Sequence, residues 1–327
     1  MKLFIYCFRE FDEKVHFEAL KAAYDFTYAA TKAYPHLTNA ALAEGFEAIS
    51  ATPARLDAEL LKRFYALGVR YILSRAIGVD HIDLKAAKEL GLRVARVSYE
   101  PQTVANYAIM LIMMSLRKMR QILDRAAVQD FTLQGKLGRD ISSCTIGVIG
   151  TGRIGTTVIR HLQPFGCRIL AYDICQNAEL SGLCQYAPLE TLYQECDVIT
   201  LHIPSNEASY HLINASAFAQ MKPGMVLVNT ARGTLIDTEA LIAALESGKL
   251  AGAALDVLED ENGLYYHNRM GDCIPNRQLA QLRAFPNVIL SPHTAFYTNE
   301  VVYSMAEKTV KGLFDMAAGN DNPLIVI

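Results

Sequence analysis

Three reactive side chains each stand just past an apolar run in the second half of the chain. Arg232 follows Val226-Leu227-Val228-Asn229, Glu261 follows Ala253-Ala254-Leu255-Asp256-Val257-Leu258, and His293 follows Val288-Ile289-Leu290-Ser291. Short apolar runs bounded by turn signals read as buried strands, and open α/β sheets bind ligands at the carboxyl ends of their strands. The three loops should therefore converge. A guanidinium holds a carboxylate or carbonyl oxygen in a planar fork. An imidazole exchanges a proton near neutral pH, and a carboxylate beside it orients the ring and favours its protonated form. An arginine, a carboxylate and a histidine are what reduction of a 2-keto acid requires. Singly, each has an ordinary reading: Arg232 in a surface salt bridge, Glu261 as a solvated acid, His293 as a satisfied loop histidine. Their recurrence after successive strands of one unit argues against coincidence.

A second signal lies upstream. Gly150-Thr151-Gly152-Arg153-Ile154-Gly155 is a GxGxxG string that closes the strand-like Thr145-Ile146-Gly147-Val148-Ile149-Gly150 and opens an amphipathic helical stretch. Gly150 permits the tight turn, Gly152 lets a pyrophosphate approach the backbone, and Gly155 lets helix and strand pack closely. Free N–H groups and the positive dipole end at Ile154 would face the phosphates. The string alone is weak; its place between strand and helix strengthens it. The next strand ends Ala171-Tyr172-Asp173. A carboxylate there accepts hydrogen bonds from ribose hydroxyls and repels a 2′-phosphate, which favours NAD over NADP. Asp173 as a plain turn residue and Arg153 as a solvated cation, rather than one over the pyrophosphate, stay open.

These groups need a scaffold. At 327 residues, two domains are the natural expectation. Strand patterns at 2–8, 48–51, 71–74 and 93–97 alternate with helical ones at 16–24, 56–67 and 84–90. After an apolar helix at 104–116 and a helical run to Ala127, a second series of strands begins at Thr145, continuing at 168–173, 198–202, 226–229, 251–255 and 288–291. A helix is expected at 300–318. The fold class is thus α/β, with two doubly wound parallel sheets.

Composition excludes other classes. Half of the residues (51%) are hydrophobic and the net charge is only −3, with no basic block, so neither nucleic acid nor an anionic membrane is an expected partner. The run Val104–Leu116 is too short to span a bilayer, which takes about 20 residues. The N-terminal apolar run is too short for a signal peptide. Seven scattered cysteines without a CxxC pair point to free thiols in the cytoplasm. The histidines outside the reactive set form no ligand spacing, so no catalytic metal is expected.

At Ser74-Arg75-Ala76-Ile77-Gly78-Val79-Asp80-His81-Ile82-Asp83, the glycine loop, Asn229–Gly233 and Pro292-His293-Thr294-Ala295-Phe296-Tyr297-Thr298, the chain resembles the D-2-hydroxyacid dehydrogenases over essentially its full length. Within them it is most similar to D-lactate dehydrogenases, including those of vancomycin resistance. The resemblance implies that Arg232 binds and polarises substrate, His293 is the acid/base and Glu261 its partner. It implies that backbone N–H groups around Gly78 and Val79 hold the substrate carboxylate, and that Asp256 lies near the nicotinamide carboxamide and ribose. Ile203-Pro204 and Thr230-Ala231 would line NAD, beside Gly150, Gly152, Arg153, Ile154, Gly155 and Asp173. Tyr99 and Phe296 would flank the substrate. The implied architecture is discontinuous: residues 1–100 with 296–327 as substrate domain, 101–295 as Rossmann-like NAD domain, and a cleft between them that closes on the reaction. A homodimer built partly on the 104–116 helix is implied as well.

Two features depart from the family. Tyr99-Glu100-Pro101 stands where lactate enzymes often carry Tyr-Ser-Pro, and the long Asn262–Asn276 segment with Tyr265, Tyr266 and His267 is either a specificity loop or a surface excursion. The leading expectation is NADH-dependent reduction of pyruvate to D-lactate. A broader enzyme for branched or aromatic 2-keto acids is the alternative, and an NAD-sensing binding protein a distant one.

Overall fold

Short apolar runs become the parallel strands of two separate sheets in the computed structural model, which describes residues 1–52, 54–261 and 263–327. One unit comprises Met1–Glu100 and Tyr297–Ile327, the other Pro101–Phe296.

In the first unit the strands are β1 (Lys2–Ile5), β2 (Thr27–Ala30), β3 (Ala48–Ala51), β4 (Tyr71–Ser74) and β5 (Arg93–Arg96), in the order β2-β1-β3-β4-β5. The helices α1 (Lys14–Leu20), α2 (Ala58–Ala66) and α3 (Leu84–Glu89) connect them. β1 ends short of Phe8 because Cys7 turns the chain at a positive φ of 53°. α2 begins at Ala58 because the Asp57 side chain caps it, accepting from Leu60 N–H at 3.1 Å. Leu60, Leu61 and Phe64 of α2 and Ala86 and Ala87 of α3 build one apolar layer against the sheet.

The carboxyl ends of β1, β3 and β4 are tied by a buried ion pair. Arg75 Nε and Glu13 Oε1 stand 3.1 Å apart with side chains 0% and 2% exposed. The remaining guanidinium nitrogens donate to Ser50 Oγ at 3.0 Å and to the carbonyls of Tyr6 and Cys7 at 2.9 and 3.2 Å. This satisfaction is what makes a fully buried arginine tolerable, and it fixes the start of the loop that carries Gly78 and Val79.

The second unit contains β6 (Thr145–Ile149), β7 (Arg168–Tyr172), β8 (Gln185–Tyr186), β9 (Val198–Leu201), β10 (Met225–Asn229), β11 (Leu250–Leu255) and β12 (Val288–Leu290). Its helices are α4 (Gln102–Leu116), α5 (Met119–Ala127), α6 (Arg153–Leu162), α7 (Leu189–Glu195), α8 (Ala215–Gln220), α9 (Thr238–Glu246) and α10 (Arg277–Ala284). The order is β12-β11-β10-β9-β6-β7-β8, all parallel. Alternation along the strands feeds both faces: Ile146, Val148 and Val198 join the layer under α4 and α6, while Ile149, Ile199 and Leu201 join the opposite one. Among the described residues no helix is long and apolar enough to cross a membrane.

The last helix, α11 (Asn299–Ala318), belongs to the first unit, where Ala306, Val310, Leu313 and Met316 pack with Phe17 and Leu20 of α1. The chain then covers the open edge of β5: Val326 N–H donates to Val94 O at 2.7 Å and Arg96 N–H to Leu324 O at 2.9 Å. An edge strand closed in this way cannot recruit another chain.

Candidate active site

The strand order reverses between β6 and β9, and the crevice at such a switch point is where open α/β sheets bind dinucleotides. Gly150 leaves β6 at a φ of +98°, and a Cβ there would lie 2.6 Å from the His202 carbonyl oxygen and 2.7 Å from Ile203 Cγ2. A Cβ at Gly155 would overlap the Gly150 carbonyl. Both glycines are therefore required by the chain itself. At Gly152 a Cβ would meet nothing within 4 Å, so the space above the loop is open to a ligand. α6 starts at Arg153 with no side-chain cap, which leaves its first N–H groups for an anion.

Asp173, past the end of β7, faces this loop. Its Oδ2 accepts from Thr151 N–H at 2.5 Å and Thr151 Oγ1 at 3.1 Å, and Oδ1 accepts from Cys175 N–H at 3.0 Å. Burial alone would raise the carboxyl's pKa, but the donations from Cys175 and Thr151 outweigh it and hold Asp173 below the usual carboxylate range. Tyr186 adds support, donating to Thr151 Oγ1 at 2.9 Å and accepting from Asn177 N–H at 2.9 Å. Thr230, just beyond β10, has a buried hydroxyl without a partner among the described residues. Open space over Gly152, an uncapped helix start, an ionised Asp173 and an orphaned hydroxyl together fit a dinucleotide. Ile203-Pro204 and Ala231 lie on the loops after β9 and β10.

Arg232 sits on a loop braced by Asn229, whose Oδ1 accepts from Ala231 N–H at 2.9 Å and whose Nδ2 donates to Arg232 O at 2.8 Å. Nη1 of Arg232 donates to Ala231 O at 2.7 Å. A Cβ at Gly233 would overlap the Leu258 carbonyl. Only glycine lets the Arg232 loop press against the loop that leads to Glu261.

Glu261 and His293 meet directly. Nδ1–H of His293 donates to Glu261 Oε1 at 2.6 Å, and Leu258 N–H donates to Oε2 at 2.9 Å. The proton on Nδ1 is assigned from the acceptor it faces. Glu259, two residues earlier, is committed elsewhere: it is 2.7 Å from His211 Nε2 and accepts from Thr238 Oγ1 at 2.7 Å. Asp256 is fully buried and serves the histidine's loop. Its carboxylate accepts from Ser291 Oγ at 2.6 Å and from Thr294 and Ala295 N–H at 2.9 Å each, while its carbonyl accepts from His293 N–H at 2.7 Å. Tyr107 of α4 reaches Thr294 Oγ1 at 3.1 Å. Ser291, Tyr107 and Asp256 as fasteners of this loop escape a reading of the sequence, because nothing local links them.

Phe296 stands edge-on to the imidazole, with centroids 6.3 Å apart, and belongs to the second unit. Gly78 and Val79 follow β4 and Tyr99 follows β5, all in the first unit. In the Asn262–Asn276 segment, Asn262 lies outside the described residues. Of the rest, Tyr266 donates to His293 O at 2.9 Å, so this stretch reaches the reactive pair.

Comparison with known proteins converges on one group. Residues 109–295 match the family described as D-isomer specific 2-hydroxyacid dehydrogenase, NAD binding domain. A D-specific alpha-keto acid dehydrogenase of Enterococcus faecium is 42% identical over 262 residues, covering 80% of each chain. An aromatic 2-oxoacid reductase of Clostridium sporogenes is 39% identical over 316 residues, covering 96% of this chain and 95% of its own. The apo-structure of D-lactate dehydrogenase from Escherichia coli superposes over 100% of both chains with a TM-score of 0.88 and 34% identity.

Proposed function

The chain belongs to the D-isomer-specific 2-hydroxyacid dehydrogenases, NAD-dependent oxidoreductases of 2-hydroxy and 2-keto acids, and on that premise we propose that it reduces pyruvate to D-lactate. The observation that carries the proton transfer to a 2-keto acid is the 2.6 Å bond between His293 Nδ1 and Glu261. With one ring nitrogen held by a carboxylate, the other is left to exchange a proton with substrate.

NADH, when bound, supplies the hydride received at C2 of the keto acid. Gly150, Gly152, Arg153, Ile154, Gly155, Asp173, Ile203, Pro204, Thr230 and Ala231 would hold the dinucleotide, with Asp256 near the part that carries the hydride. As C2 gains its C–H bond, His293 gives the Nε2 proton to the carbonyl oxygen and becomes neutral. Arg232 forks to the substrate and stabilises the charge growing on that oxygen. Glu261 stabilises the charged ring before transfer. The substrate carboxylate goes to the backbone N–H groups at Gly78 and Val79, and Tyr99 and Phe296 flank its side chain. Oxidation of D-lactate is the reverse, with His293 starting neutral.

Pyruvate is supported by the likeness to the lactate enzyme. The extended match to the aromatic 2-oxoacid reductase supports a second reading in which branched or aromatic 2-keto acids are also reduced. NADH oxidation with pyruvate, 2-ketoisocaproate and phenylpyruvate, with chiral analysis of each product, decides between them. Highest kcat/KM for pyruvate with D-lactate as product supports the first; a preference for phenylpyruvate replaces it with the second.

We also place the enzyme in the cytoplasm as a homodimer. Supporting the dimer, Met110 and Met113 of α4 are 41% and 40% exposed, and Val128, Phe131, Leu133 and Leu137 beyond α5 are 75–87% exposed. Exposed apolar side chains in this number support a covering partner. Supporting the cytoplasm, all seven cysteines are free thiols.

A further inference from the structure

The segment after Glu261 returns to the histidine that Glu261 holds. His293 adopts a φ of 54°, in the left-handed region, a conformation that persists in a residue with a side chain only when its surroundings over-determine it. Its N–H donates to Asp256 O at 2.7 Å and Ser291 O at 3.0 Å. Its carbonyl accepts from the Tyr266 hydroxyl at 2.9 Å. Both peptide groups flanking the strained Cα are thus clamped, and Tyr266 supplies the clamp on the carbonyl side.

The same turn supplies the bond to the side chain. Glu261 O accepts from Leu264 and Tyr265 N–H at 3.0 and 3.1 Å, which ties Glu261 to the turn at 263–266 that carries Tyr266. Asp260 and Tyr266 also take positive φ, at 53° and 66°. Tyr265 packs its ring against the apolar core between them. One short turn therefore grips His293 at two points: Nδ1 through Glu261 and the carbonyl through Tyr266.

We propose that Tyr266 is a positioning residue of the reaction, holding His293 in the left-handed turn that aims Nδ1 at Glu261. This rests on the assignment of His293 as the acid. Removing the hydroxyl alone relaxes the turn without removing charge, so turnover suffers and cofactor binding does not.

The test is Tyr266→Phe, which keeps the half-exposed ring. We expect kcat for pyruvate reduction to fall about 10-fold, as for one lost hydrogen bond worth a decade in rate, with the Kd for NADH by fluorescence unchanged within about twofold. Combined with Glu261→Gln, it should cost far less than 10-fold more, because the bond Tyr266 serves to aim, from Nδ1 to the Glu261 carboxylate, is already weakened. Native kcat in Tyr266→Phe, or full multiplication of the two losses, overturns the proposal. His293→Ala separates the layers. If that variant turns over normally, the histidine assignment itself falls; if it is inactive while Tyr266→Phe is native, only the tyrosine's role falls.

Discussion

Glu261 and His293 are 32 residues apart in sequence and share one hydrogen bond, from Nδ1–H to Oε1 at 2.6 Å. Two loops must be placed for that bond to exist. Asp256 fastens the one carrying His293, and Gly233, Leu258 and Tyr266 constrain the one carrying Glu261.

Arg232→Lys keeps the charge and loses the planar fork. The kcat/KM for pyruvate should fall roughly 100-fold or more, the scale of a charge-assisted contact to the transition state. Steady-state kinetics near the native value would remove Arg232 from the substrate.

Asp173 is held ionised by Thr151 and Cys175, so NADH should be strongly preferred to NADPH and Asp173→Ala should narrow the gap. The sign for pH follows from the depressed carboxyl. Ionisation is complete above the ordinary carboxylate range and is lost only as pH falls through the lowered folded value. The KM for NADH should therefore stay flat between pH 7 and about 5, where an ordinary Asp also remains mostly ionised, and then rise at a lower pH than that ordinary value would give. Equal kcat/KM for both cofactors would contradict this role.

Replacing Tyr99 or Phe296 with alanine should raise the phenylpyruvate-to-pyruvate ratio of kcat/KM, since each ring is assigned to the wall around the substrate side chain. An unchanged ratio in both variants would put the rings elsewhere.

Glu13→Gln leaves Arg75 buried beside a neutral amide. Breaking a buried, fully bonded pair costs about 3–5 kcal/mol, and the urea midpoint should fall accordingly. A midpoint within experimental error of the native one would show that the pair contributes little.

Much of this was legible in the chain. The strand-glycine-helix context at Ile149–Gly155, the carboxylate closing β7 and the reactive groups past β10, β11 and β12 all announce themselves through local pattern. Some elements did not: β2 is an edge strand with no buried residue and β8 has only two residues, so no apolar run marks either. α9 is apolar without a break from 240 to 245, so alternation there does not show which face is buried. Long-range bonds were invisible as well. Nothing near Asp256 says that its carboxylate secures residues 291–295, nothing near Tyr266 points to His293, and Arg75 finds Glu13 across 62 residues. Periodicity reports which face a side chain occupies; it cannot report which loop it meets.

In the proposed reaction His293 delivers the proton and Glu261 supports it electrostatically. The measurement is kcat/KM against pH for pyruvate reduction and D-lactate oxidation, in the native enzyme and in Glu261→Gln. Reduction needs the charged imidazole and oxidation the neutral one. Loss of the neighbouring negative charge disfavours the charged ring, so the alkaline limb of reduction and the acid limb of oxidation should both move to lower pH in the variant. Reduction at low pH should be partly spared. A uniform fall with neither limb displaced would contradict the account.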